Sequence, residues 1–161
     1  MNDTAVHRAT LHQDSTAPAD PAARAVRRLW LVGGDTAAVL TVAAALAVVL
    51  RWPGQFGSPG SSEDVVLEAI TRGTALSPPL PLVLGFVGAL WLATRRHRGY
   101  GIGCVVLVLL SAVFLVGGLG EAMAPATPDV PRVALVTSGV VSVVLAGTVV
   151  VTAVQRFLAG R

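Results

Sequence analysis

Four long apolar stretches separated by polar segments dominate this chain of 161 residues. The stretches run over about 29–50, 76–94, 101–119 and 133–154. Each has, or can be extended to, the roughly 20 apolar residues that a helix needs to cross the hydrocarbon core of a bilayer. The pattern therefore predicts an all-α integral membrane protein with four transmembrane helices.

A basic turn, Arg95-Arg96-His97-Arg98, joins the second and third stretches and predicts the orientation of the chain. Cytoplasmic loops of membrane proteins carry an excess of arginine and lysine near the ends of spans. With this turn inside, only Arg51, Arg72 and Arg132 of the 12 basic residues fall outside, which leaves 12 − 3 = 9 on the cytoplasmic side. We therefore expect both termini to be cytoplasmic and the four helices to form an antiparallel bundle, since the connections are short.

The segments outside the four stretches have different expected structures. Residues 1–26 are polar and lack apolar periodicity, so they are expected to form a disordered cytoplasmic tail before a transmembrane domain over 27–161. In the long segment between the first two spans, Ser61 and Asp64 have capping-box spacing. The residues that follow place Val66, Ala69 and Ile70 on one face. We expect a short amphipathic helix on the outer surface, either as a lid or docking surface or as a connector that buries its own apolar face.

Composition agrees with a membrane protein. The chain is 53% hydrophobic and 13% charged, whereas about a quarter of the residues of a soluble domain are charged. The basic residues lie at the ends of spans and not on one polar surface, so we expect no nucleic acid partner. Every basic residue is arginine, and alanine, valine and glycine are abundant, which is typical of a GC-rich bacterial genome. The expected location is a bacterial plasma membrane, with the lipid bilayer as the immediate partner.

The common catalytic and cofactor motifs are absent from the sequence. There is no His-Glu-x-x-His, no Cys-x-x-Cys and no phosphate-binding loop after a strand, and the three histidines are scattered. The one cysteine, Cys104, lies in an apolar stretch and is expected to be a small buried residue. We expect a protein that is not an enzyme and that needs no cofactor or metal.

Asp35 is the only charge within any apolar stretch. It lies about 10 Å along the helix from Arg28, where an ionised carboxylate costs ~1 to 3 kcal/mol. Such residues usually face the interior of a bundle. One hypothesis is a proton or cation site, and the other is a structural carboxylate that reaches the interface or caps the helix after Gly33-Gly34. The expected partners of Asp35 are Arg98, Tyr100, Thr152 and Arg156.

Two stripes of small residues predict close helix packing, either within the chain or between copies of it. The second span carries Gly85, Ala89 and Ala93, and the fourth carries Ser138, Ser142 and Ala146. At the outer end of the third span, Glu121 is expected to be solvated.

Two functions fit this pattern. The first is a small accessory or scaffold subunit that acts through helix or loop contacts with another membrane protein. The second is a small proton- or cation-coupled transporter or channel subunit that uses Asp35. It would act as a homo-oligomer, because four thin spans leave little room for an internal path.

Overall fold

The computed structural model describes residues 20–52, 54, 64–95, 99–125 and 130–160. Within these residues the secondary structure is helical, with one isolated bridge between Thr74 and Ser77 and no strand. The helices are α1 (Pro21–Val49), α2 (Val65–Thr71), α3 (Leu80–Thr94), α4 (Tyr100–Met123) and α5 (Arg132–Ala159). The predicted all-α class is therefore confirmed for the described part of the chain.

Three of these helices, α1, α4 and α5, are long and apolar enough to cross a membrane. The fourth long helix, α3, is apolar but has only 15 residues, which at 1.5 Å per residue is about 22 Å. The assignment to the membrane class therefore rests on α1, α4 and α5.

α1 begins at Pro21, well before the predicted start near residue 29. The side chain of Asp20 accepts a hydrogen bond from the Ala22 N–H at 3.0 Å, and proline suits the first helical position because its missing N–H has no helical partner there. Residues 21–26, which the sequence analysis assigned to the tail, are therefore helical. The rest of the predicted tail, residues 1–19, lies outside the described residues.

α3 begins at Leu80, later than the predicted start at residue 76. The chain turns between Thr74 and Ser77 after Gly73, whose φ of 87° is the left-handed region that favours glycine. A β-carbon at Gly73 would lie 2.6 Å from the Ser77 carbonyl oxygen. The two prolines that follow this turn lack the N–H groups of a helix interior, so the helix starts after them.

The predicted short helix is present as α2, but the face that carries Val66 and Ile70 is exposed, whereas a connector was expected to bury it. Val65 and Glu68 face inward, and the Glu68 carboxylate accepts a hydrogen bond from the Gly54 N–H at 3.1 Å. Val66 is 62% exposed and Ile70 44% exposed. Asp64 precedes the helix without a side-chain cap bond, and Ser61 lies outside the described residues.

The four long helices pack in a ring in which α1 contacts α3 and α5, and α4 contacts the same two helices. The centre is apolar, with the rings of Phe86 and Phe114 5.7 Å apart. Close crossings occur where glycine removes a side chain. A β-carbon at Gly103 would lie 2.9 Å from the Ala89 carbonyl oxygen, and one at Gly118 would lie 2.9 Å from the Gly139 carbonyl oxygen.

The ring has two ends with different chemistry. At the first, which we call the Arg156 end, the start of α1 and the end of α5 lie beside the connection between α3 and α4. At the other, the Glu121 end, the end of α4 and the start of α5 lie beside the Thr74–Ser77 turn. Both termini of the described chain are therefore at the Arg156 end.

Candidate functional site

Asp35 lies in the middle of α1, and its side chain is exposed on the outside of the helical ring. Its neighbours in sequence face inward. A β-carbon at Gly33 would fall 2.5 Å from Leu90 Cδ1, and the buried Thr36 hydroxyl donates to the Val32 carbonyl at 2.8 Å. The 100° step between successive helical residues thus turns Asp35 away from the core.

The structure does not bring Asp35 together with Tyr100, Thr152 or Arg156, the expected partners that lie within the described residues. The Thr152 hydroxyl donates to the Thr148 carbonyl at 2.9 Å, and Arg156 Nη2 donates to the Arg95 carbonyl at 3.4 Å. The Arg156 guanidinium lies 4.5 Å from the centre of the Tyr100 ring. Within the described residues, the side chain of Asp35 has no hydrogen bond or ion pair, and Arg98 lies outside them.

The surface around Asp35 is apolar. We define the Asp35 face as Leu31, Asp35, Ala38 and Val42, which share one side of α1 through helical spacing. Leu31 is 53% exposed and Val42 66% exposed. About 10 Å along the helix from Arg28, an ionised carboxylate against lipid costs ~1 to 3 kcal/mol. The Asp35 face therefore combines a lipid-compatible surface with one carboxylate that lipid does not solvate.

Most members of the two small-residue stripes pack helices within the chain. Ala89 and Ala93 are buried against Gly103 of α4, whereas Gly85 is exposed. On α5, Ala146 is buried and Ser142 lies beside Gly118.

Glu121 faces inward, whereas the sequence analysis expected it to be solvated. Its carboxylate accepts a hydrogen bond from the Ser138 hydroxyl at 3.3 Å. That hydroxyl is also 3.4 Å from the Leu76 carbonyl. The sequence signal for this position is spacing alone: Phe114 and Gly118 precede Glu121 by seven and three residues, which places the three on one helical face. The structure buries Phe114 and Gly118 on that face.

A cavity of about 270 Å³ lies at the Glu121 end between the four long helices and the Thr74–Ser77 turn. Its polar lining comes from Glu121, Arg72, Thr74, Ser77 and Ser142, and the rest of its lining includes Leu40, Leu82 and Phe114. Several polar side chains of the described residues thus gather at this end, and Asp35 is not among them.

Comparison of the chain with protein-family models, with curated proteins and with solved structures finds no match.

Proposed function

We propose that all four long helices cross a bacterial plasma membrane as an antiparallel bundle, with both termini in the cytoplasm. Support for a fourth crossing comes from α3, which extends from the Glu121 end to the Arg156 end. Leu82 near its start lines the cavity beside Glu121, and the Arg95 carbonyl after its end accepts from Arg156. Trp91 is 51% exposed beneath Arg95, as expected for an aromatic residue at the membrane interface.

Cysteine labelling tests this topology. In a Cys104→Ser background, His97→Cys should react with a membrane-impermeant maleimide only after cells are permeabilised. Thr127→Cys, in the connection between the third and fourth spans, is the matched control and should react in intact cells. Labelling of His97→Cys in intact cells would contradict the proposed orientation.

We further propose that the protein is a non-enzymatic accessory or scaffold subunit that binds another membrane protein through the Asp35 face. The observation that carries this proposal is the outward direction of Asp35 within the apolar stretch of a helix that is long enough to cross a membrane. A carboxylate in this position is unfavourable against lipid and favourable against a donor on a neighbouring helix. A partner that covers the Asp35 face removes this cost.

The chemistry of the Asp35 face favours a partner helix that carries arginine or lysine at the same depth. A second copy of this chain fits less well, since a symmetric contact through α1 would place two carboxylates against each other. The basic residues of the described long helices lie toward helix ends, as Arg28, Arg132 and Arg156 do, and none of them lies at mid-helix. Charge complementarity therefore points to a different protein.

The transport alternative has less support in the interior of the chain. The core between the helices contains Phe86, Leu90, Leu107 and Val149, and Asp35 is not part of it. A path that uses Asp35 would have to run between copies. Proton or cation flux into liposomes by the purified protein, abolished by Asp35→Asn, would overturn the scaffold proposal.

Site-specific crosslinking in living cells tests the partner contact. A photoreactive amino acid is placed at Val42, on the Asp35 face, or at Leu109 of α4, which is 61% exposed and serves as the control. We expect Val42 to form an adduct with one membrane protein, through a helix that carries a basic residue, and Leu109 to form none with it. Equal adducts from both positions, or only adducts between copies of this chain, would contradict the proposal.

A further inference from the structure

The Arg156 end contains a second feature, which the proposed function does not use. A cavity of about 580 Å³ lies between the start of α1, the start of α4 and the end of α5. Arg27 and Trp30 of α1, Tyr100 of α4 and Arg156 of α5 line it. Two cations and two aromatic side chains with polar atoms therefore share one concave site.

Arg156 provides the main evidence that this cavity is a binding site. Its side chain is only 4% exposed, and its Nε is buried without a hydrogen-bond partner among the described residues. The hydrogen bond that it does form, from Nη2 to the Arg95 carbonyl, is long at 3.4 Å. A guanidinium has five N–H donors in a fixed planar arrangement, and a buried cation needs compensating acceptors. Stacking on Tyr100 supplies only part of that compensation.

The other charged groups at the cavity leave a net positive lining. Arg27 is exposed and adds a second cation on α1. Among the described residues, Asp20 is the one acidic residue in the lining, and its carboxylate accepts a hydrogen bond from the Ala22 N–H at 3.0 Å at the start of α1. Two guanidinium groups and one engaged carboxylate therefore favour an anion.

We propose that this cavity binds the phosphate group of an anionic membrane lipid, which pairs with Arg156 and Arg27. Phosphate oxygens match the planar donor arrangement of arginine. A lipid is the source that fits the location, because Trp30 in the cavity wall is 52% exposed, and an exposed indole beside basic residues is typical of the membrane interface. Basic pockets between membrane helices bind lipid headgroups in this way.

The proposal is tested with purified full-length protein in nanodiscs of a zwitterionic lipid with added phosphatidylglycerol. The retained phosphatidylglycerol is counted by native mass spectrometry, and lipid affinity is obtained by titration. Arg27→Gln removes one exposed cation of the cavity, and Arg156→Gln removes the buried one. Arg24→Gln is the matched control, because Arg24 is an exposed arginine on the same segment of α1 that does not line this cavity.

We expect Arg27→Gln to weaken phosphatidylglycerol binding about fivefold and Arg156→Gln to weaken it by at least as much, with little change for Arg24→Gln. Arg156→Gln removes a packed side chain. If Arg156→Gln unfolds the protein, the result for Arg27→Gln is decisive by itself. Equal binding of zwitterionic and anionic lipid would overturn the proposal, as would equal effects of Arg24→Gln and Arg27→Gln. Full displacement of phosphatidylglycerol by millimolar inorganic phosphate would overturn the lipid as the source.

Discussion

At the scale of single residues, Arg51 shows how the chain leaves α1. Its φ of 53° makes it the one described residue other than glycine in the left-handed region. The Arg51 N–H donates to the Val48 carbonyl at 3.1 Å, and the Trp52 N–H donates to the Ala47 carbonyl at 2.8 Å. These two bonds form a Schellman motif, in which glycine usually holds the left-handed position because it has no β-carbon.

Replacement of Arg51 should therefore separate backbone strain from charge. Arg51→Gly is expected to be more stable than Arg51→Ala by about 1 kcal/mol, since both lose the guanidinium but only glycine loses the β-carbon. Equilibrium unfolding in detergent micelles, followed by circular dichroism, measures the difference. Equal stability of the two variants would contradict the assignment of strain at this position.

The two carboxylates in or beside the apolar stretches show what the sequence could and could not predict at this scale. Asp35 is exceptional on sequence grounds, because it is the only charge within a stretch. Its direction depends on which neighbours α1 meets, and the fit of Gly33 against Leu90 turns Asp35 outward. Glu121 lies beyond the end of its stretch, and its position depends on Ser138, which is distant in the sequence.

At the scale of elements, α4 and α5 form the most extensive helix contact in the described chain. They approach at Gly118 and Gly139, where a β-carbon on Gly139 would lie 2.8 Å from the Ala122 β-carbon. By contrast, a β-carbon at Gly147 on the same helix would meet nothing within 4 Å. Gly139 and Gly147 thus have the same helical backbone conformation but differ in the space around them.

A pair of alanine substitutions tests this crossing. Gly139→Ala should destabilise the protein by about 1 to 3 kcal/mol, because the new methyl group forces two helices apart. Gly147→Ala should be neutral or stabilise by up to about 1 kcal/mol, because alanine favours the helix and the methyl group has space. Both are measured by unfolding in micelles. If Gly139→Ala were as stable as Gly147→Ala, close contact at Gly139 would not determine the packing.

The helices themselves follow from the apolar stretches, but their ends do not. The early start of α1 depends on the Asp20 cap and on Pro21, which the sequence analysis placed in the tail. The late start of α3 depends on the Thr74–Ser77 turn. That turn is held in part by tertiary packing of Ala75 with Val130, which precedes α5, and with Leu135 in the first turns of α5. Contacts between distant segments determine where α3 starts, and these contacts cannot be predicted from hydropathy along the chain.

At the scale of the whole molecule, three features occupy three different regions. The proposed lipid site lies at the Arg156 end, the cavity with Glu121 lies at the opposite end, and the Asp35 face lies on the outside between them. The interior that separates the two ends is mainly apolar, with the buried hydroxyl groups of Thr36 and Ser111 as exceptions among the described residues. This arrangement fits a protein that acts through its outer surface, with its lipid and partner contacts in separate places.

The dependence of the Val42 adduct on Asp35 is the most direct test of the partner contact. Adduct yield with the partner is compared between the parent protein, Asp35→Leu, and Thr148→Leu. The last variant is the control because it removes an exposed polar side chain from α5, whose hydroxyl otherwise donates to the Val144 carbonyl at 2.7 Å. We expect Asp35→Leu to lower the yield about tenfold or more through loss of a charge pair, while Thr148→Leu leaves it unchanged. An unchanged yield in Asp35→Leu, with the variant folded and present at the parent level, would contradict the account.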